Sequence, residues 1–243
     1  MLGLSPTDWL AVLAAAVLTG LAKTAVPGLA SIAVALCALV LPAKESTGVM
    51  LVLLLVGDVL AVWAYRRDAD RALLARLVPS VVLGVLAGAA FLRWSTQDQT
   101  RRGIGVVLLA LVALTVFQRR RGRRGRAPVP VRTAYGALAG FTTMVANAGG
   151  PVTSMYFLAC RYPVKAFLGT TAWFFFLVNL VKLPFSISAG LVNTTTMSLT
   201  VICAPIVIVS ALAGRRLAER MDQRVFEPVI VALTIISALP LLR

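Results

Sequence analysis

Between Gly48 and Tyr65 a single charged residue, Asp58, stands in eighteen consecutive positions. A run that long and uniform exceeds the apolar stripe of an amphipathic core helix and approaches the roughly 20 residues needed to cross a hydrocarbon core. Comparable runs recur along the chain, which is 59% hydrophobic and 14% charged with a mean hydropathy of +0.90. Soluble domains average about 25% charged residues, so the chain reads as an integral membrane protein. At about 20 residues per span, 243 residues leave room for about ten membrane segments and no separate soluble domain.

There is no histidine, which removes the commonest general base and the commonest transition-metal ligand. Serine-histidine, cysteine-histidine and zinc-hydrolase chemistries are excluded. Cys37, Cys160 and Cys203 lie in or at the end of apolar stretches without CxxC spacing and read as small packing residues. The net charge of +15 falls in the connections between spans. Its densest run, Arg119 to Arg126, has no interleaved aromatics and follows an apolar span, so it reads as a positive-inside loop near lipid headgroups, with no nucleic acid as partner.

Two short apolar stretches, 9–22 and 28–41, are interrupted by Lys23 and Pro27-Gly28, and spans follow near 46–65, 77–92 and 103–118. After the arginine run the plan recurs: short stretches at 134–146 and 151–160 broken at Asn147-Ala148-Gly149-Gly150, then spans near 166–185, 196–213 and 227–242. Pro42-Ala43-Lys44-x3-Gly48 returns as Pro163-Val164-Lys165-x3-Gly169, and Asp58 and Asn179 follow in the same register. Pro79-x6-Leu86-Ala87-Gly88 returns as Pro205-x6-Leu212-Ala213-Gly214, with Gln97 and Gln223 beyond. The chain therefore divides into repeat one at 1–118, an arginine-rich linker at 119–132 and repeat two at 133–243. An odd number of segments per repeat turns the second copy upside down. Seventeen basic residues then lie in inside loops against five outside, placing both termini outside. With no Lys or Arg before the first apolar stretch, a cleaved signal peptide is not expected.

Matched interruptions in two inverted halves are the sequence mark of a transporter binding site. A half-helix starting at membrane depth presents unpaired N–H groups and a positive dipole end to a small anion. Pro27 and Gly28 open one such half-helix, and Gly149, Gly150 and Pro151 the other. Lys23 adds positive charge, or else caps the preceding helix, while Thr24, Thr142, Thr143, Asn147 and Thr153 offer hydrogen-bond donors. None is a strong base, so the set suits binding. Asp58, the acid inside an apolar run, reads as a protonatable coupling or gating residue or as the partner of a buried cation. Lys182, on one helix face with Asn179, is a candidate for that cation, and both residues are expected to line the substrate-binding site. Gly84-x3-Gly88 and Gly136-x3-Gly140 read as helix-packing patterns. Trp63, Tyr65, Trp94 and Tyr162 read as interfacial anchors, and Trp173-Phe174-Phe175-Phe176 as lipid-facing or core bulk.

These motifs together resemble the TauE/SafE family of sulfite and organosulfonate exporters, also called the 4-toluene sulfonate uptake permease family. The resemblance rests on Gly20-x2-Lys23 with Pro27-Gly28, the Pro-x-Lys-x3-Gly landmarks, Asp58 and the basic loop after it, and Gly140-Phe141 followed by Asn147-x-Gly149-Gly150-Pro151. Lys165-x2-Leu168-Gly169-Thr170 leading to Asn179-x2-Lys182 completes it. It implies movement of small sulfur-containing or organic anions across a bacterial inner membrane. The expectation is an all-α polytopic membrane protein of two inverted repeats, each a broken or re-entrant hairpin plus three transmembrane helices. It would be a cofactor-free anion transporter working by alternating access, with lipids and a second copy of the chain as potential partners. An anion channel is the nearest alternative and an intramembrane enzyme a more distant one.

Overall fold

The computed structural model describes residues 4–91, 129–147 and 149–238, and among these nine α-helices and no strands are found. They are α1 (Pro6–Thr24), α2 (Leu29–Val40), α3 (Ala43–Tyr65), α4 (Arg71–Phe91), α5 (Val129–Ala146), α6 (Gly149–Ala159), α7 (Val164–Ser188), α8 (Thr194–Arg220) and α9 (Gln223–Ala238). The expected span at 103–118, the run from Arg119 to Arg126, Trp94 and Gln97 lie outside the described residues.

Local chemistry sets the helix ends. Ser5 caps α1 in a reciprocal box with Asp8, and Pro6 occupies the first helical position. Asn193 caps α8 in the same way with Thr196. Among the described residues five helices are long and apolar enough to cross a membrane: Pro6–Thr24, Lys44–Tyr65, Arg71–Phe91, Val164–Ser188 and Thr194–Arg220. At about 1.5 Å per residue, α2 and α6 reach only about half of a roughly 30 Å core. Large apolar side chains face outward on α4 (Val78, Val82, Leu83, Leu86) and on α8 (Val201, Ile202, Val209, Leu212), as a lipid-facing surface requires.

The helices form two compact units, one comprising Met1–Ala69 and Leu168–Met221, the other Asp70–Phe167 and Asp222–Arg243. Each draws on both halves of the sequence. In the first, Val12, Ala15, Ala16, Ala33, Cys37, Val49, Met50, Leu53, Leu199, Cys203 and Val207 make the core where α1, α2, α3 and α8 meet. In the second, Phe157, Tyr162, Phe167 and Phe226 stack edge to face or tilted.

Lipid is as apolar as a leucine side chain, so burial alone does not drive helices together in a membrane; close approach by small residues does. In the first unit α1 packs on α8 through Gly20, whose missing Cβ admits the Val207 carbonyl oxygen and the Ala211 amide nitrogen. In the second, α5 packs on α4 through Gly140, which admits the Val81 carbonyl oxygen and the Val85 amide nitrogen. Gly214 faces Thr24 and Leu21 on α1, while Gly88 faces Met144 and Phe141 on α5. The spacing is constant in both interfaces: 120 positions separate Gly20 from Gly140 and 126 separate Val81 from Val207. Hydroxyls that have no water to bond turn back on their own helices, as Thr19 does to Ala15, Thr142 to Leu138, Thr153 to Gly149 and Thr200 to Thr196.

Candidate functional site

The first unit holds an ion pair in which both side chains are buried. Lys23 stands in the last turn of α1, and its Nζ lies 2.6 Å from Asp58 Oδ1 on α3. The carboxylate is 0% and the lysine side chain 8% exposed. The contact is an ion pair in geometry, without the alignment of a hydrogen bond. Asp58 Oδ2 accepts instead from Asn179 Nδ2 on α7 at 2.7 Å. Lys182, one turn further along the same helix, acts electrostatically on both Asp58 and Lys23. The close cation of Asp58 is therefore Lys23, where the sequence pattern had pointed to Lys182. The reason is the shape of α3: Gly57 has no Cβ where the Lys23 stem passes, and an added one would lie 2.7 Å from Lys23 Cγ.

Lys23 also sits over the Phe175 ring, 4.9 Å from its centroid. The buried face of the aromatic run thus serves the cluster, which reading it as bulk had missed. The signal was available in helical periodicity, since Phe175, Asn179 and Lys182 follow one another at i, i+4 and i+7. An ammonium with three donors is held here by a carboxylate on one side and a π face on another.

The adjoining break is braced rather than open. The Thr24 hydroxyl donates to the Ala211 carbonyl at 2.8 Å and to Gly20 at 3.1 Å, so it is engaged in tying α1 to α8. Its own carbonyl accepts from the Tyr65 hydroxyl at 2.7 Å. Tyr65 is buried and spends its polar end inside the unit, which corrects its reading as an interfacial anchor. Trp63 is 53% exposed and suits that role, with Arg215 stacked on its ring. Pro27 and Gly28 are buried, and Gly28 caps α2, which starts at Leu29.

Asn147, Gly149, Gly150 and Pro151 belong to the second unit. Asn147 has φ 51, the left-handed conformation that ends a helix, and its N–H still reaches the Thr143 carbonyl. The interruption is shorter than the sequence suggested, because Gly149, Gly150 and Pro151 already form the buried first turn of α6. Proline loses nothing there, since the first four N–H groups have no partner within the helix. The hydroxyls of Thr142 and Thr153 bond backbone carbonyls of their own helices. Two hydroxyls not singled out in the sequence, Ser31 on α2 in the first unit and Ser154 on α6 in the second, are buried without a hydrogen-bond partner among the described residues. Also in the second unit, Tyr162 donates to Asp70 at 2.7 Å, so it too is more than an interfacial anchor. Burial and this bond to the carboxylate both push its phenol above the usual range.

A lysine held by an acid and a ring, with an amide bonded to the far oxygen of the acid, can bind an anion and supplies no activated nucleophile. The family model described as "Sulfite exporter TauE/SafE" matches residues 12–241. The chain belongs to the TauE/SafE family. No curated protein and no solved structure gives a match. For a TauE/SafE chain the apolar helices and their outward leucines and valines are the walls of a multi-pass membrane transporter. Among the described residues no cluster of His, Cys, Asp and Glu is placed to hold a metal ion.

Proposed function

We propose that this protein exports small sulfur-containing or organic anions, such as sulfite or sulfonates, across the bacterial inner membrane by alternating access. The buried pair of Lys23 and Asp58, with Asn179 on the carboxylate, carries the reading. Ionisable side chains at membrane depth are expensive and belong to substrate or ion pathways, and here a lysine and an acid meet inside the unit. An incoming anion competes with Asp58 for the Lys23 ammonium. Protonation of Asp58 releases that lysine, which couples anion movement to a proton. Nothing in the cluster calls for a cofactor or a covalent step, so the protein is a carrier and not an enzyme.

The proposal includes two repeats, 1–118 and 133–243, of opposite orientation, with the termini outside and the basic loops in the cytoplasm. The matched glycine interfaces support it, since α1 on α8 and α5 on α4 use equivalent residues at constant spacing. Independent helices have no reason to keep such a register.

Thermal stabilisation of the purified protein by a panel of sulfite, thiosulfate, sulfoacetate, taurine, sulfate and acetate tests the reading, because a ligand that binds only the folded state raises Tm by mass action. A selective shift that is lost in Lys23→Ala, together with efflux of the same anion from proteoliposomes, is the expected result. Absence of any shift and of any efflux would reject the anion-transport reading.

A further inference from the structure

Where α3 and α8 end, the first unit carries a polar feature made of other residues than the buried pair. An open cleft of about 270 Å³ is lined by Trp63, Ala64, Arg66, Arg67, Asp68 and Arg215. The turn that forms it is firmly seated. Gly169 on α7 has no Cβ where this turn passes, and an added one would lie 2.7 Å from the Tyr65 carbonyl oxygen and 3.0 Å from the Asp68 carbonyl carbon. The Asp68 N–H closes the turn on the Tyr65 carbonyl at 3.0 Å. The Arg66 guanidinium donates to the Trp63 carbonyl at 3.1 Å, and Arg215 reaches from α8 to stand over the Trp63 ring, 5.1 Å from its centroid. Three guanidiniums thus share the cleft with one lining carboxylate, Asp68, and with Glu219, whose Oε1 lies 3.0 Å from Arg215 Nε. Among the described residues Arg66 and Arg67 stand in no ion pair.

Trp63 stands near the end of the span Lys44–Tyr65, and Arg215 near the end of Thr194–Arg220. That is the depth of lipid headgroups, where amphipathic aromatics and basic residues gather. The surface leading to the cleft is apolar and faces outward. Val59 and Trp63 stand one turn apart on α3, 55% and 53% exposed, while Ile208, Leu212 and Arg215 share a face of α8 at i, i+4 and i+7. The cleft has room for a headgroup but falls below the roughly 300–1,000 Å³ of a site that encloses a small molecule whole. Both helices present their C-terminal ends here, where the dipole is negative, so an anion depends on the guanidiniums rather than on backbone N–H groups. We infer that the cleft seats the headgroup of an anionic glycerophospholipid, its phosphodiester held by Arg66, Arg67 and Arg215 and its acyl chains laid along the outward faces of α3 and α8. Guanidinium forks match phosphate oxygens in pairs. A zwitterionic headgroup brings its own ammonium against the arginines, whereas phosphatidylglycerol brings none. The lipid is a partner of this face and not the transported anion.

The test adds phosphatidylglycerol or phosphatidylcholine of identical acyl chains to the purified full-length protein in an uncharged detergent, and reads apparent affinity from the rise in Tm with lipid mole fraction. The wild type is expected to bind phosphatidylglycerol at least about tenfold more tightly than phosphatidylcholine, since each arginine near the headgroup adds several-fold. Inorganic phosphate and glycerol 3-phosphate are expected to give no comparable rise. Arg66→Gln/Arg67→Gln is expected to bring the two lipids within about threefold of each other, and Arg215→Gln to lower the preference as well. Arg161→Gln/Arg224→Gln removes the same charge from exposed positions of the second unit and is expected to keep the preference. Equal binding of the two lipids by the wild type overturns the inference without need of a variant. So does a preference unchanged in Arg66→Gln/Arg67→Gln, or one lost equally in Arg161→Gln/Arg224→Gln, which would make it a property of the whole basic surface. A rise with inorganic phosphate or glycerol 3-phosphate equal to that with phosphatidylglycerol would make this a site for free anions and remove the lipid from it.

Discussion

Asn179 donates to the carboxylate of Asp58 at 2.7 Å across 121 positions of sequence. The two residues occupy the same place after the Pro-x-Lys-x3-Gly landmark in each half of the chain. One half therefore places an acid and the other its neutral amide counterpart at matched sites. The fold of the first unit brings α3 and α7 together there, so that the two positions become a donor and acceptor pair. Lys23 supplies the counter-ion that Asn179, a neutral amide, cannot.

Breaking that pair from one side is expected to be costly. Lys23→Ala leaves a fully buried carboxylate without its close cation, which destabilises by about 3–5 kcal/mol when a buried pair loses one partner. Thermal unfolding in detergent measures it. The double variant Lys23→Ala/Asp58→Asn is expected to recover most of the loss, and a double variant no more stable than Lys23→Ala alone would contradict the pairing.

Glycine at the two helix crossings tests the packing. Gly20→Ala places a methyl against the Val207 carbonyl and Ala211 amide, and Gly140→Ala places one against Val81 and Val85. Each is backbone and has no rotamer to escape into, so both variants are expected to lose about 1–3 kcal/mol. Gly190→Ala is a useful contrast. No atom lies within 4 Å of its added Cβ, and its penalty comes from φ 69 alone. A neutral Gly20→Ala in the same unfolding assay would show that α1 and α8 do not approach this closely.

Tyr65→Phe removes the hydroxyl that reaches the Thr24 carbonyl just beyond Lys23. A stability loss of about 1–3 kcal/mol is expected, since the buried carbonyl loses this donor. The anion affinity should fall as well if this bond holds the end of α1 in place. Thermal unfolding and ligand titration of the same preparation read both, and a variant indistinguishable from the wild type in each would remove Tyr65 from the scaffold.

The alkaline limb of stability is set in part by Tyr162 in the turn between α6 and α7. Its folded pKa is raised by burial and by the bond to Asp70, so the unfolded chain releases the phenolic proton first. The contribution is fully present below the ordinary tyrosine value of about 10 and is lost as the pH rises above it. Tyr162→Phe is expected to flatten that limb in a series of melts from neutral to strongly alkaline pH. An identical pH profile in the variant would show that the phenol titrates alike in both states.

Most of the helices were legible from the sequence because a membrane span announces itself by length and apolarity, and its ends by proline, glycine and charge. The interruption at Pro27-Gly28, the left-handed stop at Asn147 and the glycine patterns on α4 and α5 follow from local rules that need no neighbour. Family membership followed in the same way, from motifs spread over the whole chain. The partner of Asp58 did not. Lys182 lies nearer in the repeat pattern, but Lys23 fits because Gly57 clears its path and Phe175 receives its charge, and both facts belong to how α1, α3 and α7 meet. Tyr65 is polar at one end and apolar along its body, so the sequence permits either a membrane surface or a buried bond, and only the position of Thr24 decides. The sequence by itself determined which segments are helical, where they break and which polar residues they carry into the membrane. The tertiary structure decided which of those residues neutralise one another, because electrostatic pairing depends on distances between helices that no periodicity along one helix encodes.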